Sequence, residues 1–384
     1  MNKVLFGIDQ FCGYGDRYKS IRIGLVTNDA ASNAFGLKSR VALINAGFKI
    51  VKLFSPEHGL SANAADGAFV PDHTDEITNL PVVSLYADKL KPTAKDLEDI
   101  DAIVFDIPDI GCRFYTYLWT MTYMMEACAE YLKKFILLDR ANPLSGNLAM
   151  AEGPFLGVNC TSFLGRWSIP IRHSCTQGEL ANYFVSSHIP NLDLEVVKMK
   201  EWNRNDFPGK ENWDFTPTSP AIKDAATALL YPGICLLEGI NVNEGRGTEM
   251  DFKIFGAPWI NASSLKDNLE KLNLPGIYFS TTWYIPNWGL YQGEVCFGLQ
   301  LQITNEQTIR PVSAGIEILK QLIKNYPITC EERLYKTNAN PDGIEHLDKL
   351  LGIQNAYRTI KNNIPIETQI PNELWQDIIS PYLF

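Results

Sequence analysis

The sequence lacks most of the patterns that announce a function. No G-x-G-x-x-G follows its first strand-like run and no G-x-x-x-x-G-K-[ST] occurs. The backbone nests that cradle dinucleotides and triphosphates are therefore missing. There is no G-x-S-x-G for a serine nucleophile elbow. The five histidines form no H-E-x-x-H, and the eight cysteines are scattered with no C-x-x-C, which argues against zinc ribbons and thioredoxin-like chemistry. Positive charge is also short. Lysine and arginine number 34 against 44 aspartates and glutamates, a net charge of −10. That balance excludes a general nucleic-acid binder, which needs a basic face for phosphates. No run approaches the roughly 20 apolar residues of a membrane span. The opening "MNKVLFGIDQ" is broken by Asp9 and is followed by no small-residue cleavage site, so it does not read as a signal peptide. The expected location is cytoplasmic if the chain is full length, and periplasmic if a leader has been removed.

What is present is a core-forming composition, 46% hydrophobic and 20% charged over 384 residues, sufficient for two domains. Strand-like and helix-like segments alternate through the first part. "IRIGLVTN", "KIVKLF", "LPVVSLY", "DAIVFDI" and "FILLDR" read as strands. "LKSRVALINAGF" reads as a helix closed by Gly47, and "FYTYLWTMTYMMEACAEYLKK" as a deeply buried one. Apolar strands alternating with helices predict a parallel sheet covered on both faces. Residues 201–220, rich in Pro, Asn, Asp and Trp, read as an irregular connection. Beyond it, "AATALLYPGICLLEG", the alternating "EVCFGLQLQIT" and the amphipathic "PVSAGIEILKQLIKNY" suit a smaller α+β unit. The expectation is an α/β protein: a parallel-sheet domain over 1–215, then an α+β domain over 216–384.

Polar groups follow four of these strands: Asn28; Glu57 and His58; Asp106, Asp109 and Arg113; Asp139, Arg140 and Asn142. The carboxyl ends of parallel strands share one sheet edge, where ligands bind. Abundant carboxylates without a cofactor motif suit general acid–base work, and glycoside hydrolysis commonly uses two carboxyl groups. Glu57, at the end of a buried strand, is placed for the raised pKa that an acid requires. Glu57, His58, Asp106 and Asp109 can alternatively gather a metal from separate strands. Arg246, between Gly245 and Gly247, is placed to grip a carboxylate. The aromatic run "GIYFSTTWYIPNWGLYQGE" offers rings for sugar stacking or simply for core packing.

Together, "LFSPEHG", "VFDIPDIGCRFYTY", "LLDRANPLSG", "EGPFL", "IPIRHSCTQGELA", "LLYPGICLLEGINVNEGRGT" and "GAPWI" resemble the DUF1343 family, whose characterised members are exo-β-N-acetylmuramidases of the NamZ type. The likeness runs in order from near Gly7 to at least Pro311. It implies a Rossmann-like first domain, a smaller second one and an active cleft between them. It also implies a cofactor-free, metal-free glycosidase that frees terminal N-acetylmuramic acid from the non-reducing end of peptidoglycan fragments, with Glu57 catalytic. Leaderless, such an enzyme fits cell-wall recycling. The candidates for a second carboxylate are Asp106, Asp109, Glu152, Glu238 and Glu244. Asn28, His58, Arg113, Tyr115, Arg140, Asn142, Glu152, His173, Asn241, Arg246 and Thr248 are the expected substrate contacts. Arg246, Arg140, Arg113 and Arg172 are the candidates to read the lactyl carboxylate. The chain departs from the family pattern at Ser61, Ala62, Ala68 and Pro108, and at Asp251-Phe252-Lys253, where the family favours Pro-Phe-Glu. Two alternatives accompany this reading: a divergent glycan-binding relative without turnover, and a metal-assisted hydrolase.

Overall fold

The computed structural model describes residues 3–209, 213–338, 340–366 and 372–384. Its larger sheet has seven strands: β1 (Ile23–Thr27), β2 (Ile50–Ser55), β3 (His73–Thr74), β4 (Pro81–Ser84), β5 (Ala102–Asp106), β6 (Lys134–Leu138) and β7 (Leu194–Val197). They lie in the order β3-β4-β2-β1-β5-β6-β7. All neighbours pair in parallel except β3, a short exposed edge strand antiparallel to β4. Every residue of β1 and β5 is buried, as continuous apolar runs in a doubly covered sheet require. The five expected strands are all present, and β3 and β7 are additions.

The buried helix forms over Tyr117–Glu130, with ten of its fourteen residues buried. It starts three residues later than its apolar run because Tyr115 N–H first closes a turn onto the Cys112 carbonyl at 3.0 Å. That turn leaves Tyr115 and Thr116 outside the helix. Residues 201–209 and 213–220 contain no helix or strand, and the rest of that expected connection, 210–212, lies outside the described residues.

The smaller sheet is antiparallel, in the order β8 (Ile254–Ala257), β10 (Cys296–Ile303), β9 (Ile277–Tyr284). Helix Pro311–Asn325 crosses helix Ala225–Ile234 at two glycines. A Cβ on Gly233 would lie 2.0 Å from the Pro311 carbonyl oxygen, and one on Gly315 would lie 2.3 Å from that of Gly233. Only glycine permits this approach. Pro232 sits near the end of helix Ala225–Ile234, and the chain tightens into a 3-10 turn, Cys235–Gly239. This turn delivers Glu238 to the cleft. No described helix is long and apolar enough to cross a membrane.

Candidate active site

Strand β2 stops before Pro56, which has no N–H for the ladder. The chain then reverses sharply, with His58 at φ 68° and Gly59 at φ 71°. The left-handed region is costly for histidine and clusters at functional sites. Two hydrogen bonds hold it there. Ala64 N–H donates to the His58 carbonyl at 3.2 Å, and His58 Nδ1 meets the Ala64 carbonyl at 2.8 Å. A carbonyl only accepts, so Nδ1 carries the proton and Nε2 of a neutral ring keeps its lone pair.

Glu57 is 5% exposed. Gly67 N–H donates to its Oε1 at 3.0 Å, and the Thr116 hydroxyl donates to its Oε2 at 2.6 Å. Among the described residues no lysine or arginine pairs with it. Burial raises its pKa, and the negative charge of Asp66 raises it further; His58, Thr116 and Gly67 offset only part of this. Tyr86 borders the same pocket, and burial followed by the charge of Glu57 pushes its phenol up.

The opposite wall is ionic. Arg246 Nη2 donates to Glu238 Oε1 at 2.8 Å, its Nε lies 3.2 Å from Glu244 Oε1, and Nη2 lies 3.6 Å from Asp66 Oδ2. Gly247, at φ 83°, lets this loop pass under Trp288, whose carbonyl oxygen would lie 2.5 Å from a Cβ. His346 Nε2 contacts the other oxygen of Glu238 at 3.1 Å. Burial works against the Glu238 charge, yet Arg246 and His346 hold its pKa down at about 2. Glu244 is pushed up to about 7 by burial and by its neighbour Glu238. Burial also opposes the Arg246 charge, but Tyr335, Asp66, Glu238 and Glu244 keep it firmly protonated.

Asp66 joins the walls. Its Oδ2 accepts from the Tyr335 hydroxyl at 2.8 Å, and Asn338 Nδ2 donates to the adjacent Gly67 carbonyl at 2.6 Å. Segment 335–338 of the second domain thus clamps the loop that follows Glu57. Ligand atoms of Glu57, His58 and Asp66 lie within 4.8 Å of one another. All three line a cavity of about 610 Å³ between the two sheets, a size suited to a small organic ligand. Trp288, 53% exposed, and Leu334, 61% exposed, also line it.

Of the expected site residues, Glu57, His58, Tyr115, Glu244, Arg246 and Thr248 line this cavity, as does the candidate Glu238. Tyr115 donates to Thr218 at 2.7 Å, and Thr248 donates to the Gly245 carbonyl at 2.7 Å. The other expected residues are absent from the lining, for reasons visible in their bonds. Asp106 and Arg140 bind each other bidentately at 2.6 and 2.9 Å. Arg113 donates to the carbonyls of Pro154, Ile169 and Leu350, at 2.6, 3.0 and 2.8 Å. Glu152 lies 3.7 Å from Arg172 and accepts from Ser313. Asn28 accepts from Ala30 N–H, Asn142 donates to the Cys175 carbonyl, and Asn241 donates to that of Thr329. His173 is buried, its pKa held down at about 3 by burial alone. Asp109 accepts from Gly111 N–H and is pushed up to about 7 by burial, despite backbone hydrogen bonds. Lys253 pairs with Asp224 at 2.5 Å rather than entering the cavity. The residues that sequence reasoning missed are Asp66, Tyr86, Thr116, Arg333, Tyr335 and His346. Only Asp66-Gly67, a turn-prone pair just after S-P-E-H-G, carried a local signal.

Chemically, a carboxylic acid held by neutral donors beside a second carboxylate can deliver a proton to a leaving oxygen. Glu57, His58 and Asp66 are also the described residues whose spacing would suit a cation. Against that use, both Glu57 oxygens are already engaged, and the Arg246 guanidinium stands 3.6 Å from Asp66.

The fold and cleft define a two-domain α/β protein whose cavity is lined by buried carboxylates. The chain belongs to the exo-β-N-acetylmuramidase NamZ family. The model of that family's N-terminal domain matches residues 23–226 and that of its C-terminal domain residues 229–382. Peptidoglycan β-N-acetylmuramidase NamZ of Bacillus subtilis is 40% identical over 328 residues, 85% of this chain and 78% of that protein. A solved DUF1343 family protein from Bacteroides fragilis superposes with a TM-score of 0.86 at 28% identity, covering 100% of this chain and 99% of that one. A second from the same organism, at 24% identity and a TM-score of 0.75, shares the fold over 100% of this chain and 99% of its own.

Proposed function

We propose that this chain is a glycosidase that releases terminal β-linked N-acetylmuramic acid from the non-reducing end of peptidoglycan fragments. Family membership supports the reaction class. The observation that carries the mechanism is the buried Glu57, bonded only to neutral donors and facing Asp66. Glu57 is the general acid, protonating the glycosidic oxygen as the C1–O bond breaks. Asp66 is the second carboxylate, a role for which Asp106, Asp109, Glu152, Glu238 and Glu244 were the expected candidates. Its closeness to Glu57 resembles the separation of about 5–5.5 Å in retaining enzymes rather than the wider inverting gap. Residues 1–215 supply the acid and 216–384 the ionic wall.

The test is hydrolysis of a muramic acid–glucosamine disaccharide by wild type and Glu57→Gln, with and without chelator. We expect chelator-resistant release that disappears in the variant, with NMR showing the β anomer of free N-acetylmuramic acid first. Full activity of Glu57→Gln would remove it as the acid. Chelator-sensitive release would favour a metal held by Glu57, His58 and Asp66, and binding without release a non-catalytic relative.

A further inference from the structure

N-Acetylmuramic acid differs from N-acetylglucosamine by a lactyl ether that carries a carboxylate. An enzyme that prefers the first sugar needs a cation with free donors facing the cavity. The four arginines expected for this role are all engaged within the protein. Arg140 holds Asp106, Arg172 donates to the Leu144 carbonyl and lies beside Glu152, Arg113 holds three carbonyls, and Arg246 is surrounded by Glu238, Glu244 and Asp66. Of the remaining cations that line the cavity, Lys223 is paired with Glu249 at 3.2 Å and Asp251 at 3.1 Å. Arg333 and Lys336 are left.

Arg333 is the better placed. Its backbone N–H donates to the Gly239 carbonyl at 3.0 Å, which ties it to the turn that carries Glu238. Its guanidinium lies over the Tyr335 ring at 5.0 Å, and its nearest acid is Glu244, at 3.9 Å. Its side chain donates no hydrogen bond to any described residue, and 23% of it stays exposed. A guanidinium not already bonded can take a carboxylate in two parallel hydrogen bonds. Tyr335 beside it donates to Asp66, which stands next to Glu57. Arg333 and Glu57 thus line the same cavity and are linked through Tyr335 and Asp66. Lys336 is exposed, and a hydrated ammonium lacks the planar fork that matches a carboxylate.

We infer that Arg333 reads the lactyl carboxylate and sets the preference for muramic acid over glucosamine. This rests on the proposed reaction. The experiment compares kcat/KM for a β-aryl N-acetylmuramide and the matching β-aryl N-acetylglucosaminide in wild type, Arg333→Met, Arg333→Lys and Lys336→Met. Arg333→Met should lower the muramide value roughly ten- to hundredfold, the size of a lost charge-assisted hydrogen bond, mainly through KM. The glucosaminide value should stay unchanged, and Arg333→Lys should recover part of the preference. An unchanged preference in Arg333→Met, an equal loss on both substrates, or a loss confined to Lys336→Met would overturn the assignment. Calorimetry with free N-acetylmuramic acid separates the two readings. Arg333-dependent binding by a wild type that cleaves neither substrate would sink the reaction and keep the reader. Binding that Arg333→Met leaves intact would sink the reader.

Discussion

Two buried carboxylates on opposite walls of the cavity, Glu57 and Glu238, are held in opposite ways. On the edge of the parallel sheet, Glu57 is surrounded by an amide, a hydroxyl and a like charge, so burial wins and its pKa rises. Across the cleft, Glu238 is equally buried, but Arg246 and His346 outweigh burial and hold it at about 2. The first is biased towards holding a proton and the second towards holding its charge. A carboxylate's neighbours, rather than its depth, decide which it does.

The comparison can be broken most forcefully at the acid. Glu57→Gln should lower kcat on the natural disaccharide by roughly 10²- to 10⁴-fold, the usual range for general acid catalysis, as steady-state assays would show. Next comes the ionic wall. Arg246→Met leaves Glu238 and Glu244 without their guanidinium, and losing one partner of a buried ion pair costs about 3–5 kcal/mol. A lower urea midpoint would show it.

A smaller effect sets the walls against each other in stability. The folded-state pKa of Glu57 is raised, so the unfolded chain releases a proton that the fold retains. Stability from this group is present below the ordinary glutamate value and is lost as pH rises towards the folded one. Glu57→Gln should therefore melt above wild type at pH 7, with the gap closing near pH 4. Glu238 has the opposite sign. Its contribution is present above the ordinary value and is lost as pH falls towards about 2. Glu238→Gln should melt below wild type at pH 7. Calorimetric melts of both variants at two pH values check the pair; shifts in the same direction would erase the distinction. The smallest effect sharpens the acid wall alone. Thr116→Val removes a hydrogen bond that lowers the Glu57 pKa, so the basic limb of kcat/KM should move to higher pH.

The sheet was legible because its chemistry is local. Runs such as "DAIVFDI" have one stable home, a strand covered on both faces. Glu57 was legible for the same reason, since it ends such a strand. Its neighbours were not. Asp106 and Arg140 end adjacent strands of the same edge, yet they face each other and are spent on a mutual pair. Asp66 reaches Glu57 because Tyr335, 269 residues away, holds its loop in place. Arg333 lies on that same distant segment, and nothing in its local sequence marks it. Residues whose roles depend on the docking of the two domains leave no periodic or spacing signal.

The central claim is that Glu57 supplies the proton for the leaving oxygen. Its most direct test compares Glu57→Gln with wild type on two β-N-acetylmuramides, one with an acidic dinitrophenol leaving group and one with a sugar. A dinitrophenolate departs without protonation. The account predicts a severe loss on the sugar substrate and a far smaller one on the dinitrophenyl substrate. Equal losses on both, or none on either, would contradict it.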